Sequence, residues 1–345
     1  MINHLHHHLE IPERINHLWK MVGSTPMLEI NYTYKNEPRT IYAKSEHYNL
    51  TGSIKDRMAL YILEQSYKNE TIKLGNVIVE ATSGNTGIAF AAIGKALGHP
   101  VKIIMPNWLS KERMDIIQSL GAEIILITKE EGGFLGSIAL SEKMKREDDN
   151  IFLPQQFKNL YNAKAHYLTT GPEIWEQLQS IEKSVDAFVA GVGTGGTVMG
   201  MKDFLKDVDS KIKVHPLEPE ESPTLTTGHK VGSHRIQGIS DEFIPEIVKL
   251  NELDEVVQAS DGDSILMAQK LAHQLGLAVG ISSGANFLGA VKLQNMYGAD
   301  KTVVTIFSDS NKKYLSTDLM KNEPIKSHYL TPDIELEDFD AIKRF

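Results

Sequence analysis

Short runs of aliphatic and β-branched residues alternate along most of the chain with longer segments of helical period. NVIVE (76–80), VKIIM (101–105), EIILIT (123–128), AFVAGV (187–192), KIKVHPL (211–217), EVVQA (255–259) and TVVTIF (302–307) read as buried strands of parallel sheets. Between them, GIAFAAIGKALG, KERMDIIQSLG, GPEIWEQLQ, VMGMKDFLKD, SILMAQKLAHQLG and ANFLGAVKLQNMYG place apolar residues at helical spacing, often closed by a glycine. The alternation predicts an α/β protein. EPEESPTLTTGHKVGSH (218–234) is the longest stretch without periodicity, and a loop of that length predicts a lid or binding segment. The tail after Thr317 is acidic and carries no definite element.

A length of 345 residues exceeds one core of about 100–200 residues and points to two lobes. The net charge of −9, with no basic run, argues against a nucleic-acid or anionic-membrane partner. No cysteine occurs, which excludes disulfides, thiolate metal sites and a cysteine nucleophile and fits a reducing compartment. No apolar run approaches the ~18 residues of a membrane span, so a cytoplasmic enzyme is expected. His4, His6, His7 and His8 permit adventitious metal binding, but a flexible or dimer-packing N-terminal arm is the expected role.

Three turns carry the candidate chemistry. TGSIKDR places Lys55 at the start of a helix, where the dipole disfavours an ammonium and lowers its pKa, making a candidate amine nucleophile. A solvated surface lysine is the competing reading. EATSGNTGIAF follows a strand and opens a helix, so its free N–H groups and the hydroxyls of Thr82, Ser83 and Thr86 suit a carboxylate or phosphate, or else form a simple N-cap cluster. In AGVGTGGTVMG, glycines 193, 195 and 196 admit an oxyanion close to the backbone, with Thr194 and Thr197 adding donors, as in a phosphate cradle.

The last turn also fits G-x-G-x-x-G at Gly191, Gly193 and Gly196, with Glu218 ending the next strand, so an NAD(P)-binding oxidoreductase is a rival. That rival leaves the other two turns unexplained. A phosphate cradle, a second anion site and an activated lysine together describe a lysine-bound cofactor with one phosphate and a substrate with one carboxylate. Pyridoxal phosphate and an amino acid meet the description.

Several blocks in order, VGSTPML, KSEHYNLTGSIKDR, EATSGNTG, MPNWLSKER, LPQQF, TTGPEIW, GVGTGGT, HRIQGI, GISSGAN and KKYLST, make the chain resemble the fold type II pyridoxal-phosphate enzymes over about residues 14–318, specifically the cysteine synthase and cystathionine β-synthase group. The resemblance implies a tryptophan synthase β-like architecture of two lobes, each a mostly parallel twisted sheet flanked by helices. Residues 1–13 would be an arm, 14–54 and 161–318 a large phosphate-binding domain, 55–160 a smaller mobile domain closing on substrate, and 319–345 a tail. A homodimer acting on a small amino acid is implied as well.

Carried over by position, Lys55 would form the Schiff base and move the α-proton. Asn85 would hold the ring hydroxyl, Gly193, Thr194, Gly195, Gly196 and Thr197 the phosphate, and Ser283 would face the pyridine nitrogen. Thr82, Ser83, Asn85, Thr86, Gln156 and Gly238 would line the substrate site. Leu50 and Ala81 stand where the family has prolines, and SDSNKKYLST departs from the family's serine-glycine-rich version.

GISDEF departs most, with Asp241 and Glu242 where plain cysteine synthases have small residues. A carboxylate at 241 near the β-carbon suits deprotonation of water; an exposed acidic pair is the competing reading. The expected reaction is therefore β-replacement through an aminoacrylate, releasing hydrogen sulfide from L-cysteine and adding water to give L-serine. O-acetylserine sulfhydrylase activity and a cystathionine β-synthase-like condensation are the alternatives within the family. A non-catalytic paralogue is disfavoured by the intact lysine and both anion loops.

Overall fold

The computed structural model describes residues 11–342. The chain opens with α1 (Ile11–Trp19) and a hairpin of β1 (Met27–Tyr34) and β2 (Glu37–Ser45). The small lobe follows: α2 (Lys55–Lys68), β3 (Val77–Ala81), α3 (Asn85–Ala96), β4 (Val101–Pro106), α4 (Lys111–Ser119), β5 (Glu123–Ile127), α5 (Gly133–Glu147) and β6 (Ile151–Phe152). Then come α6 (Tyr161–Leu168), α7 (Thr170–Gln179), β7 (Ala187–Gly191), α8 (Gly196–Val208), β8 (Lys213–Pro219), α9 (Thr224–Thr227), β9 (Val257–Ala259), α10 (Asp261–Leu275), α11 (Ile281–Tyr297), β10 (Val303–Phe307) and β11 (Ile334–Ile342).

These strands form two sheets, a seven-stranded one in the order β11-β1-β2-β10-β7-β8-β9 and a four-stranded one in the order β5-β4-β3-β6. All seven segments expected as strands are strands, each in parallel pairing. One expectation of burial fails: β5 is an edge strand with Leu126 47% exposed. β1 and β2 are antiparallel in register Met27↔Lys44 to Tyr34↔Glu37. The acidic tail is not loose, because β11 pairs antiparallel with β1 and so extends the large sheet. The histidine-rich stretch of the arm lies outside the described residues, while residues 11–13 already belong to α1.

Each lobe has its own core. Val79, Ile104, Ile127 and Ile151 pack on the α5 side of the small sheet, and α2 and α3 cover its other face through Met58, Leu63, Ile88 and Ile93. In the large lobe α11 is buried on nearly every side among Leu28, Ile30, Val189, Leu217 and Val303, as a helix apolar all round must be. Each such side chain contributes about 1.5–3 kcal/mol of burial free energy. The strands of both sheets end toward a common cleft, where open α/β sheets bind ligands.

Candidate active site

Lys55 is the first residue of α2, and the turn before it is fastened to the large lobe. The Asp56 carboxylate accepts from the Thr51 N–H at 2.6 Å and hydroxyl at 2.5 Å, and Ile54 N–H donates to the Ser308 carbonyl at 3.0 Å. Lys55 is half-buried as a residue and lines the cleft, and its amine is held below the usual lysine range. Burial is the main cause, opposed by Asp241 and Asp309. The direction expected from the helix dipole is found, but desolvation produces it.

Two residues further along α2, Arg57 is fully buried. Its Nε is 2.6 Å from Glu46, its Nη1 is 2.7 Å from Glu173, and Glu173 also meets Lys44 at 2.8 Å. Burial alone would raise Glu173, but Arg57 and Lys44 hold it at about 2. Removing one member would leave an uncompensated buried charge, so this cluster sets where α2 begins.

In the second turn, the Thr82 hydroxyl accepts from the Gly84 N–H at 3.1 Å, and the Thr86 hydroxyl donates to Gln156 Oε1 at 2.6 Å. Gln156 is held in turn, donating to the Ala81 carbonyl at 2.9 Å. Behind it, burial pushes the Glu80 carboxyl up to about 8 against hydrogen bonds from the Gln156, Gln155 and Ala81 amides. Asn85 has both ends of its amide fixed: Nδ2 donates to Asp309 at 2.6 Å and Oδ1 accepts from Lys313 at 2.8 Å. Its remaining N–H is therefore the group it can offer to a ligand.

The third turn runs from Gly191 at the end of β7 to Gly196 at the start of α8. Gly195 needs φ +83°, and a Cβ on Gly193 would lie 2.4 Å from the Gly238 carbonyl oxygen, so only glycines fit both places. Asn162 joins this loop to the second one by donating to the Gln156 carbonyl at 2.9 Å and to Thr194 Oγ1 at 2.8 Å. Beneath Thr197, His166 is held well below the usual histidine range by burial, with Arg57 and Lys55 adding to the effect.

These three turns meet at an inner cavity of about 60 Å³. Lys55, Thr82, Ser83, Asn85, Thr86, Gln156, Gly193, Thr194, Thr197, Gly238 and Asp241 all line it. Gly195 and Gly196 shape the loop from behind. Donors at a helix N-terminus beside glycines and two threonines fit a phosphate, and the Lys55 amine facing them fits an aldehyde-bearing group.

Two residues named from the sequence are engaged within the protein. Ser283 is fully buried and its hydroxyl accepts from the Ser308 N–H at 3.1 Å, whereas its neighbour Ser282 lines the cavity. Successive residues on a helix point about 100° apart, so the two serines meet different surroundings here. Glu218, at the end of the strand after the glycine-rich turn, is likewise engaged within the protein. Its buried carboxylate accepts from Leu225 N–H at 2.7 Å, Thr226 Oγ1 at 2.5 Å and Gln258 Nε2 at 3.1 Å. These bonds leave the carboxylate engaged by its own chain, which counts against the dinucleotide reading, and they anchor the 218–234 stretch at its start, where α9 interrupts the expected loop.

A larger outer cavity of about 520 Å³ opens beyond the inner one. Ser83, Arg113, Gln237, Gly238, Ile239 and Asp241 line both cavities and form the neck between them. Asp241 is placed by Ser240, whose backbone is left-handed at φ +54° and whose N–H donates to the Val192 carbonyl at 2.8 Å. Burial pushes the Asp241 carboxyl up to about 6, with Lys55 the main opposing charge. Sequence reasoning missed Ser282 and Arg113. For Arg113 the signal was present in MPNWLSKER but unread; for Ser282 there was none beyond the doublet.

The sequence pattern described as "Pyridoxal-phosphate dependent enzyme" matches residues 18–309. A probable cysteine synthase from Bacillus subtilis is 38% identical over 299 residues, covering 87% of this chain and 96% of that protein. The crystal structure of a hydrogen sulfide-producing enzyme from Fusobacterium nucleatum is 56% identical with a TM-score of 0.94, covering 96% of this chain and 99% of that one. An aspartate-to-asparagine mutant of the same enzyme, complexed with an alpha-aminoacrylate intermediate, is 57% identical with a TM-score of 0.92, covering 94% of this chain and 97% of that one.

Proposed function

The chain belongs to the pyridoxal-phosphate dependent enzymes, as a fold type II member of cysteine synthase kind, and from that premise we propose that it exchanges the sulfur of L-cysteine for water, giving hydrogen sulfide and L-serine. Pyridoxal 5'-phosphate is its cofactor, and when bound it supplies the aldehyde that joins an amine and the π-system that takes up the electron pair left at Cα.

The chain's own residues have separate tasks. Gly193, Thr194, Gly195, Gly196 and Thr197 would cradle the phosphate, and Ser282 rather than Ser283 would meet the ring nitrogen. Asn85 would donate its free N–H to the ring hydroxyl. Thr82, Ser83, Asn85, Thr86, Gln156 and Gly238 would line the amino-acid site, with Ser83, Asn85, Thr86 and Gln156 gripping the carboxylate. Lys55 would bond the aldehyde carbon and take the α-proton. Asp241 would take a proton from the water that adds at the β-carbon. A homodimer in the cytoplasm is the proposed setting, and the lack of cysteine fits a reducing compartment.

The observation that carries this reading is the place of Asp241. It stands at the neck, the approach for water from the outer cavity, with its carboxyl pushed up to about 6 and Lys55 as the main opposing charge. The intermediate held by the Fusobacterium mutant, which lacks one aspartate, supports a carboxylate whose task comes after the β-group has left.

Parallel assays of L-cysteine alone, O-acetylserine with sulfide, and L-serine with homocysteine test the assignment. L-cysteine alone should give the highest kcat/KM, with serine and sulfide as products. Faster turnover of O-acetylserine with sulfide would instead make this chain a cysteine synthase.

A further inference from the structure

Taking an arginine out of water is costly unless an anion or a full set of acceptors meets it. Around the outer cavity, other cations have acidic partners: Lys111 pairs with Asp115, Lys230 with Glu242 at 2.8 Å and Arg235 with Glu323 at 2.7 Å. Arg113 is the exception. It is 1% exposed, yet among the described residues it makes no ion pair. Its Nη1 donates to Gln237, its guanidinium lies over the Tyr314 ring at 4.8 Å, and its buried Nε has no partner.

Position narrows what the missing anion is. Arg113 is the cation of the neck, which it shares with Ser83, whereas the other three residues proposed for the substrate carboxylate, Asn85, Thr86 and Gln156, line the inner cavity alone. Its stem packs against the turn itself, since a Cβ on Gly84 would meet Nε at 2.6 Å. A group leaving the β-carbon toward the outer cavity must pass this guanidinium.

Resting on the reaction proposed above, we infer that Arg113 is the receiving site for the small thiolate anion expelled from the substrate. The Cβ–S bond breaks with its electron pair on sulfur, giving HS⁻ beside the guanidinium, while Lys55 holds the α-proton. Water then gives its oxygen to Cβ and one proton to Asp241. That proton and HS⁻ together make the hydrogen sulfide released, and the α-proton returns to Cα. A fixed cation lowers the barrier most where the departing group is least able to bear charge by itself.

Two measurements on the pyridoxal-phosphate-loaded protein test this. Thiocyanate, added without amino acid, should raise the melting temperature of wild type saturably and leave that of Arg113→Met unchanged. Arg113→Met should also release sulfide from L-cysteine about 100-fold more slowly, but chloride from β-chloro-L-alanine less than about fivefold more slowly. Arg113→Lys, which keeps a point charge, should fall between. Near-normal chloride release doubles as proof that the variant is folded. Equal losses on both substrates, or unchanged thiocyanate stabilisation in Arg113→Met, would overturn the inference. If wild type made no serine but the selective loss of sulfide release persisted, hydration would fail as the function and the role of Arg113 would stand.

Discussion

Replacing Asp241 with asparagine should lower steady-state serine formation from L-cysteine by about 10²–10⁴-fold, the usual worth of a general base, while one equivalent of sulfide per site still leaves. The two halves of the reaction use different groups. Sulfur departure needs Lys55, the anion-binding turns and the Arg113 guanidinium, and only the addition of water needs a base at the neck. The pH dependence follows with a definite sign. A base must be ionised to work, and burial has pushed this carboxyl up to about 6, so wild-type serine formation should climb through about pH 6 and level off above it. The asparagine variant should lack that limb. Rapid-quench measurement of sulfide beside steady-state serine separates the two steps, and unchanged serine formation in the variant would remove Asp241 from the mechanism.

Lys55→Ala should abolish turnover by more than about 10³-fold, because one amine is both the covalent anchor and the proton carrier. Neighbouring lysines cannot substitute. Lys313 donates to the Gly52 carbonyl at 3.1 Å and to Asn85, and Lys44 to the Thr25 carbonyl and Gln177, each at 2.7 Å. The variant should fold normally, since the hydrogen bonds that set the turn come from Asp56, Thr51 and Ile54 and not from the lysine amine. Added methylamine should restore part of the activity. Full activity without added amine would refute the role of Lys55.

Much of this was legible in the sequence, for local reasons. The parallel strands are continuous apolar runs because helices cover both sheets, and the three turns announced themselves by glycine, serine and threonine at strand-to-helix junctions. The β1–β2 hairpin also carried a period-two signal, Leu28, Ile30, Tyr32 and Tyr34, that an α/β reading passes over. What stayed hidden depended on partners distant in the chain. The exposed, acidic β11 gives no hint that its backbone pairs with β1. Glu218, whose place after the glycine-rich turn suggested a dinucleotide site, is held by Leu225 and Thr226 of its own following loop and by Gln258. The choice between Ser282 and Ser283 rests on helix phase, which one residue of boundary error reverses. Arg113 became informative only when its neighbours were found to hold no counter-ion.

The exchange of sulfur for water is tested most directly by giving the holoenzyme L-cysteine in heavy-oxygen water and analysing products by mass spectrometry. Serine bearing one heavy oxygen in its side chain, in equal amount to sulfide, is the predicted result. Pyruvate and ammonia in place of serine, or no sulfide until a thiol is added, would contradict it.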